Sequence, residues 1–151
     1  MIFRIKILKK IQFKNPVLIE GLPGIGNVGK ITLDYFVDSL KAEPFLEIYS
    51  NHFPNSVFVN ENNLIDLPRI TFYYKKVKNS EFIFLGGDVN PVEEYVSYEF
   101  CHEVLTLFKK FNGTKIITLG GIGLPRIPNS PKVYATANSK EIMKFFDDKK
   151  V

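Results

Sequence analysis

The segment that most limits how this chain can fold is VLIEGLPGIGNVGKITLDYF, residues 17–36. An apolar run, Val17 to Ile19, breaks at Gly21, Pro23 and Gly24, and a helix-like pattern resumes with Val28, Leu33, Tyr35, Phe36 and Val37. Gly24, Gly26 and Gly29 stand between them in G-x-G-x-x-G spacing. Such a junction has two uses. Amides at a helix start can hold a phosphate, or the glycines can simply permit a tight turn and close helix–sheet packing. Lys30 would add positive charge to a phosphate site. Pro23 lengthens the turn, and no Gly-Lys-Ser/Thr follows, which excludes a P-loop. The acidic ribose contact of a dinucleotide site would end the next strand; Glu47 is near that distance but reads as mid-strand. Packing is therefore the first reading, with a nucleotide site and another bound anion as alternatives.

Along the rest of the chain, Phe3, Ile5 and Ile7 alternate with polar residues, the period of an opening strand. The patterns predict a helix to about Leu40 and a strand over Phe45–Tyr49. A hairpin is predicted around Asn60–Asn63, between Val57–Val59 and Leu64–Leu67. Strands are predicted over Arg69–Val77 and Phe82–Leu85. Asn90 and Pro91 suit an N-cap and first helical position. The helix they open carries Val92, Val96, Phe100, Val104, Leu107, Phe108 and Phe111 on one face and ends at Asn112–Gly113. Lys115–Leu119 reads as a buried strand and Lys132–Ala135 as a short one. A last helix covers about 139–148, with Asn138 and Glu141 as a capping-box variant. Strands alternating with helices indicate one α/β domain over 1–151. It is a three-layer α/β/α sandwich whose central sheet is mixed and largely parallel. Glycine loops at 21–29, 86–91 and 120–123 follow strand ends, so they are expected to converge on one rim.

The charge balance narrows the partners. The net charge is +4 and the lysines are scattered, with no basic–aromatic module for nucleic acid. No stretch approaches the roughly 18 apolar residues of a membrane span. The single cysteine, Cys101, cannot form an intrachain disulfide, which makes a cytoplasmic location the expectation. It is placed mid-helix without a base partner, a poor setting for a nucleophile. His52 and His102 lack metal-ligand spacing. Asp88, beside a helix start, suits capping of local amides or a ligand contact. Neither a metal nor a cofactor is expected.

Three segments, GLPGIGNVG at 21–29, GGDVNP at 86–91 and LGGIGLPRIPNSPKVYATAN at 119–138, occur in an order and spacing that resembles the proteasome assembly chaperone family. That family is also labelled ATP-grasp in places, though no ATP-grasp phosphate loop or metal-binding carboxylate set stands in this sequence. The resemblance implies a phosphorylase/hydrolase-like sandwich and a non-enzymatic, oligomeric chaperone that binds proteasome α-subunits. Family members usually continue further, so the domain is expected to be an incomplete version. Its sheet would then be completed by another copy of itself or by a second chain. Ring-docking archaeal relatives often end in a hydrophobic–Tyr–any-residue tail, whereas this chain ends Lys149–Lys150–Val151, which argues against that docking mode.

The expected function is thus non-catalytic protein binding. The rival is a nucleotide or anion site on the rim, using Gly24, Gly26, Asn27, Gly29, Asp88 and Gly121, with Arg126 as an added cation.

Overall fold

The computed structural model describes residues 2–149. Its elements are β1 (Phe3–Ile7), β2 (Val17–Gly21), a 3-10 turn (Ile25–Asn27), α1 (Val28–Leu40), β3 (Glu43–Ser50), β4 (Phe58–Val59) and β5 (Ile65–Asp66). There follow β6 (Ile70–Val77), β7 (Ser80–Gly87), α2 (Glu94–Lys110), β8 (Lys115–Thr118) and α3 (Lys140–Asp148). Six strands form one sheet in the order β1-β3-β6-β7-β2-β8, and β4 and β5 form a separate ribbon. The sheet is mixed. β2 runs parallel to both β7 and β8, while β1–β3, β3–β6 and β6–β7 are antiparallel. Parallel pairing is therefore confined to one half of the sheet, because β6 and β7 are joined by a tight turn that can only return the chain antiparallel.

Strand alternation sorts the two faces. Ile83 and Leu85 of β7, with Leu18, Ile48, Ile70 and Phe72, pack against Val96, Phe100, Val104, Leu107 and Phe108 of α2. Phe84 and Gly86 point the other way. Phe84 stacks on Phe36 of α1 with ring centroids 6.2 Å apart, and Gly86 lies under Leu33. The two helices thus cover opposite faces, giving the three layers. Phe13, Phe45 and Phe111 close one end, with ring centroids 5.1–5.6 Å apart. Each fully buried aliphatic or aromatic side chain contributes roughly 1.5–3 kcal/mol.

Four local expectations change. α2 begins at Glu94, after an extended Glu93 that makes no side-chain cap. Asn90 does not cap it, because its amide instead donates to the Pro23 carbonyl at 2.6 Å. Val92 lies outside the helix and is exposed. At α3 the cap is Ser139 rather than Asn138; its hydroxyl oxygen accepts from the Ile142 amide at 3.3 Å. Residues 132–135 form no strand. β8 is exposed along its whole length, since among the described residues only β2 pairs with it. The chain end at Lys150–Val151 lies outside the described residues.

Candidate functional site

The three glycine loops meet at the carboxyl ends of β2, β7 and β8. Their glycines serve different ends. Gly26 has φ 63° and Asn27 φ 52°, two consecutive left-handed residues that swing the chain from β2 into α1. Such a φ favours glycine, and asparagine tolerates it better than most residues. Gly29 is buried; a Cβ there would fall on the Leu119 carbonyl oxygen, and one on Gly121 would fall on the Ile25 carbonyl oxygen. A Cβ on Gly21 would meet the Gly29 carbonyl and would stand 2.8 Å from the Leu33 Cβ. Gly24 is extended, with φ −162°, and faces open space. Backbone therefore fills much of the room beneath the junction. The first amides are also partly engaged: Asn27 N–H donates to Gly24 O at 3.0 Å, and Val28 N–H to Ile25 O.

Side chains tie the loops together. Lys30 Nζ bonds Asp88 at 3.0 Å and Asp34 at 2.6 Å. Burial of the ammonium lowers its pKa, but the two carboxylates outweigh this and the net direction is upward. Lys30 is thus committed to two acids, and the trio carries one net negative charge. That suits a structural clasp better than a cradle for phosphate. Among the described residues Asp88 caps no amide; it bridges to Lys30 of α1. Arg126 is exposed in the irregular segment beyond β8. Glu47 stands on β3, separated from β2 by β7 and β6. It is engaged by Lys6 at 3.2 Å and Arg69 at 3.4 Å, which removes it as a ribose contact.

Sequence reasoning passed over Glu20, near the carboxyl end of β2, the strand beside the β8 edge. Its carboxylate accepts from Leu22 N–H at 2.9 Å. Burial pushes its pKa up, and that hydrogen bond opposes the rise. An acid inside an otherwise apolar strand was the available signal. The remaining candidates stay apart. His52 pairs with Glu93 at 2.9 Å on the surface, and His102 and Cys101 are exposed on α2. Among the described residues, no three His, Cys, Asp or Glu side chains gather as a metal site. A cleft of about 470 Å³ opens elsewhere, lined by Arg4, Tyr49, Phe53, Ser56 and Pro68 among others.

The model of the PAC2 family matches residues 18–150 of this chain. The chain belongs to the PAC2 family. Among curated proteins, MJ1210 of Methanocaldococcus jannaschii, itself uncharacterised, is similar to this chain. The two are 31% identical over 95% of this chain and 57% of MJ1210. Among solved structures, PbaB of Pyrococcus furiosus, described as an archaeal proteasome activator, is 32% identical with a TM-score of 0.90, covering 98% of this chain and 63% of PbaB. P. furiosus PbaA, described as an archaeal homolog of proteasome-assembly chaperone, shares the fold. It has a TM-score of 0.81 and 24% identity, covering the whole of this chain and 59% of PbaA. The chain spans a little over half the length of these relatives. The likeness to proteasome assembly chaperones drawn from the three glycine segments is borne out.

With the PAC2 fold in place, the exposed apolar surface is the other prominent feature. Ile116 and Ile117 point to opposite faces of β8, yet are 38% and 39% exposed. Beyond β8, Ile122, Leu124, Ile127, Val133 and Tyr134 are exposed, Ile127 at 96%. α3 exposes Phe145 at 58%, while Ile142, Met143 and Phe146 are half-buried. The β4–β5 ribbon exposes Val57, Val59, Leu64, Ile65 and Leu67. Among the described residues, no helix is long and apolar enough to cross a membrane.

Proposed function

We propose that this PAC2 protein is a non-catalytic, self-associating cytoplasmic protein that binds protein partners such as proteasome subunits. One observation carries the proposal: the edge strand β8 exposes Ile116 and Ile117 on its two faces, and the chain beyond it exposes Ile122, Leu124, Ile127, Val133, Tyr134 and Phe145. Exposed apolar surface of this extent marks sites of protein association, and an unpaired edge strand invites another strand. A second copy, or a second chain that completes the sandwich, would cover it. The descriptions of PbaB and PbaA point to the proteasome as the setting, and the 32% identity to PbaB supports carrying that setting over. The glycine rim favours the same reading, since its close approaches are between backbone segments and its lysine is already paired.

The test is co-purification of the tagged protein with proteasome α-subunits. Retention that falls when Ile116 and Ile117 are both changed to Asp supports the proposal. A monomer that ignores α-subunits overturns it. A rise in melting temperature with millimolar nucleotide, abolished by Asp88→Asn, would favour a ligand site on the rim instead.

A further inference from the structure

α2 has a second face. Its buried side is Val96, Phe100, Val104, Leu107 and Phe108. On the opposite side stand Tyr95, Tyr98, His102, Leu105 and Lys109, all exposed, with Tyr95 at 64% and Tyr98 at 69%. Their spacing alternates three and four residues, the seam pattern of two helices packed lengthwise. At about 100° per residue these five directions fall within roughly 80° of one another and oppose the buried face. Such a seam is a surface that a second helix can cover.

Charge selects the occupant. Glu93 precedes α2, Glu94 and Glu99 lie in its first half, Glu103 lies just past its middle, and Lys109 and Lys110 end it. Glu93 is held by His52. Glu94, Glu99, Lys109 and Lys110 enter no ion pair among the described residues. A parallel partner would bring like ends together. A second copy laid antiparallel about a two-fold axis near His102 puts each acidic end against a basic end and aligns the helix dipoles favourably. We infer that the Tyr95–Tyr98–His102–Leu105–Lys109 face of α2 is a homotypic contact, two copies packing antiparallel across a two-fold axis. The inference rests on the self-association proposed above and names one of its surfaces. One helix face is smaller than the roughly 800 Å² per partner of a standard stable interface, so the contact on its own is concentration-dependent.

The chain supplies its own reporter. Cys101, the single cysteine, is exposed at the edge of this seam, and the two-fold axis brings the two thiols close together. A short bismaleimide applied to the full chain is expected to give a covalent dimer. Leu105→Glu should lower the yield several-fold, and so should Lys109→Glu with Lys110→Glu. Adding Glu94→Lys and Glu99→Lys to the latter pair should restore it. These side chains are at the surface, so circular dichroism should find every variant folded. An absent covalent dimer, a yield indifferent to Leu105→Glu, or a charge swap that fails to restore would each overturn the contact. Light scattering on the same samples separates the two levels. An oligomer without Cys101 crosslinking removes the α2 contact and leaves self-association through the β8 margin, whereas a monomeric mass removes both.

Discussion

Gly24, Gly26 and Gly29 look alike in the sequence and have different jobs in the fold. Gly29→Ala drives a methyl into the Leu119 carbonyl, a backbone atom that cannot move aside. It should cost about 2 kcal/mol or more. Gly26→Ala should cost about 1 kcal/mol for its left-handed φ. Gly24→Ala should be neutral or stabilising by up to about 1 kcal/mol, since its extended backbone suits alanine and the unfolded chain loses freedom. Urea denaturation of the three variants checks this order, and a large loss at Gly24 would contradict it. Glu20 gives a pH test. Its folded pKa is raised above 4.5, so the folded state binds its proton more tightly than the unfolded state. Its charge therefore destabilises increasingly as pH rises from about 4.5 through the folded value. Glu20→Gln keeps the acceptor for Leu22 N–H. It should melt higher than the parent at pH 7, with the difference shrinking as pH falls towards 4.5, as followed by thermal melts. The spacing of the glycines was legible in the sequence. Which of them meets backbone was not, because Leu119 lies 90 positions from Gly29 and reaches it only through β8 pairing beside β2.

Elements whose burial is local were the legible ones. β2, β7 and α2 announce themselves by apolar runs and by a 3.6-residue period. α1 is anchored by Leu33, fully buried above Gly21 and Gly86. Leu33→Ala should lose about 2–5 kcal/mol, measurable by chemical denaturation. A loss below about 1 kcal/mol would show that α1 is held elsewhere. The start of α2 departs from the sequence pattern because Asn90 carries a good capping side chain that a distant carbonyl, Pro23 O, takes instead. Ile116, Ile117 and Leu119 read as a core strand, yet β8 is exposed. Composition reports what a strand is suited to bury, not whether a neighbour covers it. The strand expected at 132–135 has β-prone residues and no partner strand, and without a partner no ladder forms.

At the scale of the molecule, the layer arrangement follows from alternation along β7 and from two amphipathic helices, and a single chain shows both. Strand order does not follow in the same way. β2, second in the chain, sits between β7 and β8, and β1 forms the far edge; long-range pairing of this kind leaves no local trace. The same arrangement exposes the β8 margin, on which the proposed function depends. The most direct measurement is sedimentation velocity on the purified protein alone and then mixed with proteasome α-subunits. An oligomer alone and a faster-sedimenting complex in the mixture are expected. A monomer alone, with the two components sedimenting independently when mixed, would contradict the account.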